Sequence, residues 1–304
     1  DRYWRLIDTH RVTFLGVAPT IIRSLLANGD EQLARHDLSS LRIFASTGEP
    51  WDTVSWRWLF EKVGKRRLPI LNYSGGTEVG GILTTTVIHP LRPCAFSGPV
   101  PGVGAAVVDE TGAPAPVGAI GELVMRTPSI GLTRGLWRDR ERYLDSYWRV
   151  IPGMWVHGDF ASVEADGRWF VHGRSDDTLK IAGKRTGPAE IEALMMETGK
   201  LVEAAAIGAP HPVKGTAIVC VCQVRAGVLA DDALRQELAD IVAEGLGRPF
   251  RPQAVVFVSD LPKTRNMKIM RRVVRAAYLH QDPGDLSSLV NPEAVDELQR
   301  LFAG

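Results

Sequence analysis

The chain has 304 residues, 45% hydrophobic and 23% charged, which is ordinary for a globular protein and enough for about two domains. Its 36 basic and 35 acidic residues leave a formal net charge of +1, which argues against a general binder of nucleic acid or anionic membrane. Three cysteines cannot form a disulfide framework, so we expect a reducing cytoplasm, and no apolar run approaches the roughly 20 residues that span a bilayer.

The first residues already follow a helical pattern. The chain begins with Asp1 rather than Met, and residues 1–7 predict an amphipathic helix. This segment lacks the basic and apolar regions of a signal peptide. We therefore expect the chain to be one portion of a longer protein.

The first third of the chain alternates short apolar runs with helical patterns. We predict strands over residues 12–17, 41–45 and 69–73, and helices over 20–27 and 51–63. This alternation is typical of a parallel α/β sheet.

From residue 98 to 126 the pattern changes. Short apolar stretches alternate there with Gly and Pro turns, which predicts antiparallel strands in a small β-barrel. The best domain boundary lies near residues 173–177. Beyond it the patterns predict strands over 178–181, 202–207, 216–224 and 254–258, and helices over 188–197, 232–246 and 269–280.

Two of four notable segments combine small residues with carboxylates. In residues 73–78, Gly75 and Gly76 would let backbone N–H groups approach phosphate oxygens, and Glu78 suits Mg²⁺; a plain strand-to-helix turn also fits. In residues 157–159, Asp159 at a strand end would accept ribose hydroxyl protons, or would bond its own backbone in a turn.

The other two segments are basic. In residues 173–185, the Arg174 fork suits ribose or phosphate and Gly183 at a hairpin tip would admit a thin ligand, although a solvated hairpin also fits. Residues 262–268 form a basic loop whose lysine would stabilise charge on a transferring group, although a basic surface loop also fits.

Taken together, the order and spacing of these segments resemble one family. The chain closely resembles the acyl- and aryl-CoA synthetases among the adenylate-forming ligases, and within them the acetyl-CoA synthetase branch. The resemblance covers nearly the whole chain and rests on Gly48-Glu49-Pro50, Thr77-Glu78, Gly158-Asp159, Gly173-Arg174-x-Asp176-Asp177, Glu190-Ile191-Glu192 and Pro262-Lys263-Thr264-Arg265-x-x-Lys268-Ile269-Met270-Arg271-Arg272.

The resemblance implies a mixed α/β fold. Residues 1–173 would be the C-terminal part of a large AMP-binding domain, with a parallel α/β subdomain and a small antiparallel barrel. Residues 174–304 would be a small α+β lid domain that turns on a hinge at Asp176. Members join a carboxylic acid to coenzyme A through an acyl-AMP intermediate, using ATP, Mg²⁺ and CoA.

The resemblance also implies roles for individual residues. Lys268 would be catalytic during adenylation and Glu78 would hold Mg²⁺. Ala182 and Gly183 would contact CoA, and Thr47 and Gly75 would line the acyl pocket. The nucleotide-binding residues would be Gly48, Glu49, Pro50, Asn72, Thr77, Asp159, Arg174 and Arg185.

Two positions depart from the family pattern. Acetate-specific members carry a bulky Trp where this chain has Gly75, so we expect an acid larger than acetate: branched, medium-chain or cyclic. The usual Ser-Gly before the catalytic lysine is Asn266-Met267 here, and Met does not take a positive φ as cheaply as Gly. The loop conformation and the adenylation rate are therefore in question.

The family's Ser/Thr/Gly-rich phosphate loop ending in Lys-Gly would lie upstream of Asp1. We therefore expect this chain alone to adenylate poorly and to need the N-terminal portion of the large domain as its partner. The alternatives are an adenylating domain that loads a carrier protein and a non-catalytic half-protein. No nucleic-acid partner is expected.

Overall fold

The chain divides into two compact units. The computed structural model describes residues 2–175, 177, 179–181, 184–212 and 215–303. The first unit comprises residues 1–22 and 28–176, and the second comprises residues 23–27 and 177–304. The boundary at residue 174 and the hinge stay predictions, because Asp176 lies outside the described residues.

A five-stranded sheet is built from the first hundred residues. Strands β1, β2 and β3 are parallel, as predicted, and β4 and β5 add antiparallel partners. The elements are α1 (Arg2–His10), β1 (Phe14–Val17), α2 (Pro19–Ala27), β2 (Ile43–Ser46), α3 (Thr53–Trp58), β3 (Ile70–Ser74), β4 (Leu83–Thr84) and β5 (Gly98–Pro99), with a 3-10 turn at Leu33–Arg35.

Helix α3 shows why this part of the chain folds as it does. Asp52 caps the helix by accepting a hydrogen bond of 2.8 Å from the Ser55 amide. Trp56 and Trp58 are buried on the core side, and the helix continues as a π-helical turn over Leu59–Val63. The core therefore fixes this helix beside the parallel strands.

The second sheet of the first unit is antiparallel, as predicted. Its order is β6–β7–β8–β9, an open order rather than the closed ring of a barrel among the described strands. Its elements are β6 (Ala105–Val108), β7 (Gly121–Met125), α4 (Arg140–Tyr147), β8 (Trp155–Val163) and β9 (Trp169–Arg174). Trp155 and Leu123 share one apolar core with Ile82 and Leu83, so the two sheets are packed together.

The second unit contains a three-stranded sheet, with β12 antiparallel and β14 parallel to the central β13, and a hairpin of β10 and β11. The elements are β10 (Leu179–Ile181), β11 (Lys184–Thr186), α5 (Pro188–Met196), β12 (Leu201–His211), β13 (Gly215–Val224), α6 (Asp232–Leu246), a 3-10 turn (Arg248–Phe250), β14 (Ala254–Val258), α7 (Arg271–Tyr278) and α8 (Pro292–Phe302).

Each face of this sheet has its own apolar core. Ala204 and Cys220 pack with Leu238 of α6 on one face, whereas Ala205 and Leu298 belong to the core of the other. Burial raises the pKa of the Cys220 thiol, which keeps it a neutral packing group. No helix within the described ranges is long and apolar enough to cross a bilayer.

Candidate functional site

Two of the predicted segments follow neighbouring parallel strands. Residues 47–50 follow β2 and residues 75–78 follow β3, so both lie at the edge where the carboxyl ends of these strands meet. At this edge Glu49 accepts a hydrogen bond of 2.7 Å from the Thr20 amide at the start of α2. A carboxylate there satisfies an N–H group that the helix leaves unpaired and complements the helix dipole.

Gly75 is required by close backbone packing. A Cβ built on Gly75 would lie 2.2 Å from the carbonyl oxygen of Gly80, which also accepts a hydrogen bond from the Tyr73 hydroxyl. Backbone, rather than open volume, therefore lies where a Gly75 side chain would project. At Gly76 a Cβ would make only an ordinary contact of 3.5 Å with Oε2 of Glu78.

The third segment lies in a β-bulge. Strand β7 pairs Glu122 with Phe160 and Val124 with Val156 of β8. Between these two pairs, one residue of β7, Leu123, lies opposite residues 157–159 of β8. Gly158 has a φ of +81°, a left-handed conformation that glycine adopts at little cost. Bulges turn side chains away from the regular alternation of a strand. Asp159 therefore lies within β8, and the expectation that it ends a strand is wrong.

Three side chains converge at this bulge. Asp159 lies 3.2 Å from Nε2 of His157 and 3.4 Å from a guanidinium nitrogen of Arg174, its partner on β9. The guanidinium covers Gly158, where a Cβ would approach it to 2.8 Å. The Asp159 side chain is 13% exposed and that of Arg174 is 53% exposed. The arrangement leaves a buried, oriented acceptor beside an accessible donor fork.

Glu122 is a further acid at the bulge. Burial raises its pKa to about 7, and the nearby charge of Asp159 adds to the rise. Hydrogen bonds from the Ser175 hydroxyl and the Gly158 amide oppose this rise. One Glu122 carboxyl oxygen is buried without a hydrogen-bond partner. The bulge is therefore lined by a carboxyl group that is partly protonated near neutral pH.

The loop after β3 and the bulge of β8 lie next to each other. A Cβ on Gly76 would be 4.0 Å from Cε1 of His157. Burial raises the pKa of Tyr147, and the charge of Glu78 raises it further while that of Arg174 lowers it. The structure thus brings the predicted residues Glu78, Asp159 and Arg174 into one region of the first unit.

Other predicted residues have different surroundings. Asn72 is buried and its amide donates a 3.4 Å hydrogen bond to the Cys94 carbonyl oxygen. Thr47, Gly48 and Thr77 are exposed, whereas Pro50 is half-buried. Exposed residues at the strand ends are accessible to a ligand, but Asn72 reaches the backbone of its own unit.

The donors near Glu78 suit a magnesium ion that arrives with phosphates. Mg²⁺ is usually held by one or two carboxylates together with substrate phosphates and water, rather than by an all-protein cage. Glu78 offers a half-buried carboxylate beside the small Gly76, and no cluster of three or more metal-binding side chains occurs among the described residues. The residues present therefore fit that mode of binding.

In the second unit, Lys268 is exposed on a short hairpin over residues 262–270. The amide of Thr264 donates to the Lys268 carbonyl oxygen at 2.9 Å, and that of Met267 donates to the Thr264 carbonyl oxygen at 2.8 Å. Met267 has a φ of +62°, so the turn keeps a left-handed residue without glycine. Such a φ costs a non-glycine residue roughly 1–2 kcal/mol.

Four further predicted residues belong to the segment before α5. Asp176, Ala182 and Gly183 lie outside the described residues, and Arg185 lies in β11 with its side chain outside them. Their roles as hinge, CoA contacts and phosphate contact stay predictions.

Several residues near these segments have no predicted role. His157 flanks Asp159 but received no assignment, and Glu122 gave no signal beyond its place in an apolar strand pattern. A stronger signal was available for Glu203, because it is an acid within the apolar strand β12. A buried acid in an apolar run generally requires a partner, and Glu203 pairs with Lys263.

Comparisons with known proteins identify the family of the chain. The family model described as AMP-binding enzyme matches residues 1–137, and that described as AMP-binding enzyme C-terminal domain matches residues 190–268. Lys268 is the last residue of the second match, whereas Asp159 and Arg174 lie between the two. The chain belongs to the AMP-binding enzymes, the family of adenylate-forming ligases.

The similar proteins within this family include CoA ligases. An acetyl-coenzyme A synthetase of Pyrobaculum aerophilum is 37% identical over 99% of this chain and 46% of its own length. An acetoacetyl-CoA synthetase from Streptomyces lividans has a TM-score of 0.84 at 25% identity, over 100% of this chain and 47% of its own. An anthranilate CoA ligase in complex with anthranoyl-AMP has a TM-score of 0.80 at 29% identity, and the match covers 91% of this chain and 52% of the ligase chain. The chain thus spans about half the length of these relatives.

The packing at Gly75 predicts that alanine destabilises the protein at position 75 but not at the adjacent Gly76. We expect Gly75→Ala to lower the free energy of unfolding by roughly 1–3 kcal/mol, because its methyl group would overlap the Gly80 carbonyl. The matched control Gly76→Ala should change it by less than about 0.5 kcal/mol. Urea denaturation of both variants measures this, and equal stabilities would contradict the close approach.

The environment of Glu122 predicts a pH dependence of stability. Because its pKa is raised from the usual 4.5 to about 7, the folded state disfavours the charged form. The contribution of Glu122 to the free energy of unfolding should therefore fall as pH rises from about 4.5 to about 7. Relative to wild type, Glu122→Gln should gain melting temperature over that range and level off above it. A difference in melting temperature that is independent of pH would contradict this.

Proposed function

We propose that the protein containing this chain is an acid–CoA ligase. The observation that supports it best is the bulge of β8, which holds the Asp159 carboxylate and the Arg174 guanidinium beside Glu78. This set suits a nucleotide: a carboxylate accepts from the ribose hydroxyls, and a guanidinium donates to ribose or phosphate oxygens. CoA ligases are also prominent among the relatives.

The proposed reaction has two steps. An oxygen of the substrate carboxylate attacks the α-phosphorus of ATP, and the bond to pyrophosphate breaks, which gives acyl-AMP. The sulfur of CoA then attacks the acyl carbon, the bond to AMP breaks, and the thiol proton passes to solvent. Positioning and charge stabilisation account for most catalysis of phosphoryl and adenylyl transfer.

The described residues supply these functions in the first unit. Asp159 and Arg174 bind the ribose, while residues 48–50 and Asn72 border the adenine. Thr77 contacts the α-phosphate. Glu78 would hold Mg²⁺ together with the phosphates, and the ion would supply charge neutralisation at the phosphate oxygens.

In the second unit, Lys268 stabilises charge between the carboxylate and the α-phosphate. The exposed position of its side chain supports a role in which it meets a substrate. Arg185 contacts the phosphates, Asp176 is the hinge between the two steps, and Ala182 and Gly183 contact CoA. These last roles depend on the family resemblance.

The proposed substrate is an acid larger than acetate. Its support is the resemblance, since a small residue stands at position 75 where acetate-specific members have Trp. The Gly80 backbone occupies the space next to Gly75, and Thr47 would line the same acyl pocket.

A substrate screen with the complete protein tests this function. We expect AMP and an acyl thioester to form from ATP, CoA and an acid, with a higher kcat/KM for hexanoate, isovalerate or benzoate than for acetate. Lys268→Ala should lower acyl-AMP formation by about 100-fold or more and leave thioester formation from supplied acyl-AMP nearly unchanged.

Lys62→Ala is the matched control, because Lys62 is a surface lysine with a 60% exposed side chain. It should match wild type in both steps. No AMP release with any acid would contradict the function, whereas acetate as the best substrate would contradict only the inferred size. Transfer to a pantetheinyl carrier protein in place of CoA would favour a carrier-loading domain.

A further inference from the structure

A buried ionic cluster lies at the base of the Lys268 hairpin. The ammonium of Lys263 is 2.7 Å from Oε2 of Glu203 and 2.5 Å from Oδ1 of Asp260. Glu203 is 2% exposed and Lys263 is 7% exposed. Although burial alone lowers the pKa of Lys263, its carboxylate partners outweigh this effect and raise the pKa. Lys263 therefore stays protonated.

Asn291 completes the cluster. Its side-chain oxygen accepts a 2.9 Å hydrogen bond from the Lys263 amide. Its side-chain nitrogen donates to Oδ2 of Asp260 and to the Leu261 carbonyl oxygen, both at 2.8 Å. Asn291 is itself buried just before α8. The end of β14 and the start of α8 are thus tied through one network to Glu203, near the start of the edge strand β12.

This network holds the hairpin that carries Lys268. Lys263 pairs with Ile269 across the hairpin, and its neighbour Thr264 pairs with Leu289 on the other side. The Thr264 hydroxyl accepts a 3.2 Å hydrogen bond from the Lys268 amide. The backbone path from the buried ammonium to Lys268 therefore runs through paired residues.

The chemistry of the cluster indicates more than stability. A buried ion pair costs desolvation energy, and apolar residues of similar size usually stabilise a fold at least as well. A buried network of ion pairs and hydrogen bonds does favour one geometry, because each partner constrains the others. Apolar residues beneath the hairpin would stabilise the fold at least as well as the ionic network. The network instead sets the position of the hairpin.

We propose that Lys263 is a positioning residue for Lys268: the Glu203–Lys263–Asp260–Asn291 network fixes the hairpin so that the Lys268 ammonium is held at a defined place. This rests on the proposed function, because it assigns to the network an effect on acyl-AMP formation. Misplacing a reacting group by about 1 Å can lower a rate by about 100-fold. Thioester formation, which does not use Lys268, should not depend on the network.

The test compares both half-reactions in variants of the complete protein. Lys263→Met alone would leave the Glu203 charge buried and unpaired and risks misfolding, so the main variant is the neutral double substitution Glu203→Gln/Lys263→Met. We expect ATP–pyrophosphate exchange to lose at least about tenfold in kcat with little change in the KM for ATP. Thioester formation from supplied acyl-AMP should stay within about twofold.

Leu238→Ala is the matched control. Leu238 is fully buried on the opposite face of the same sheet, and its truncation should lower stability without selecting one half-reaction. The conservative variant Lys263→Arg should retain more exchange than the double variant. Unchanged exchange in the double variant, or a parallel loss of both half-reactions as in the control, would overturn the proposal.

Hydrogen exchange gives a readout that does not need activity. We expect the Thr264, Met267 and Lys268 amides to exchange at least about tenfold faster in the double variant than in wild type, because their bonds close the hairpin. Equal protection in both would overturn the positioning role. If wild type shows no pyrophosphate exchange, the proposed function fails, and amide exchange still decides this proposal.

Discussion

The bulge in β8 is the constraint on which the arrangement of the first unit depends. A strand in regular pairing would turn successive side chains to opposite faces. The extra residues opposite Leu123 and the left-handed Gly158 break that alternation. His157 and Asp159 are thereby brought together, and Arg174 reaches across from β9. The loop after β3 then meets this group at Gly76.

Both units bury ionisable side chains where apolar packing would be simpler. In the first unit, Glu122 places a carboxyl group against the bulge, where it interacts with the Gly158 amide. In the second unit, Lys263 is held between Glu203 and Asp260 below the Lys268 hairpin. Each cluster costs desolvation and gives a fixed geometry in return. In each, the buried group lies near a more exposed residue, Arg174 in the first unit and Lys268 in the second.

Regular elements were predictable because their periodicity is local. Helix α6 and strands β7 and β14 begin and end where the apolar pattern predicts, since Asp231 caps α6 and Gly247 ends it. Strand β8 was missed because the bulge interrupts its alternation. Helix α8 was not predicted from the sequence, although Ala294, Val295 and Leu298 form its buried face.

Parts of the site were not predictable from the sequence because they depend on contacts between distant residues. Sequence patterns located residues 75–78 and 157–159, but the role of Gly75 depends on the Gly80 carbonyl, whose position follows from a turn that spacing does not specify. Glu122 and Glu203 acquire their roles from partners on other strands. Such long-range pairs are set by register and burial, which one sequence does not reveal. The left-handed φ of Met267 was foreseen as a difficulty, and the structure retains it.

In the proposed function, the bulge presents Asp159 to the ribose of a nucleotide. Calorimetric titration of the complete protein with AMP and with 2′,3′-dideoxy-AMP tests it most directly. We expect wild type to bind AMP at least about tenfold more tightly, because a site that pairs with hydroxyl groups rejects an analogue that lacks them. In Asp159→Ala this difference should vanish, whereas the exposed control Asp145→Ala should keep it. Equal affinity of wild type for the two nucleotides would contradict the account.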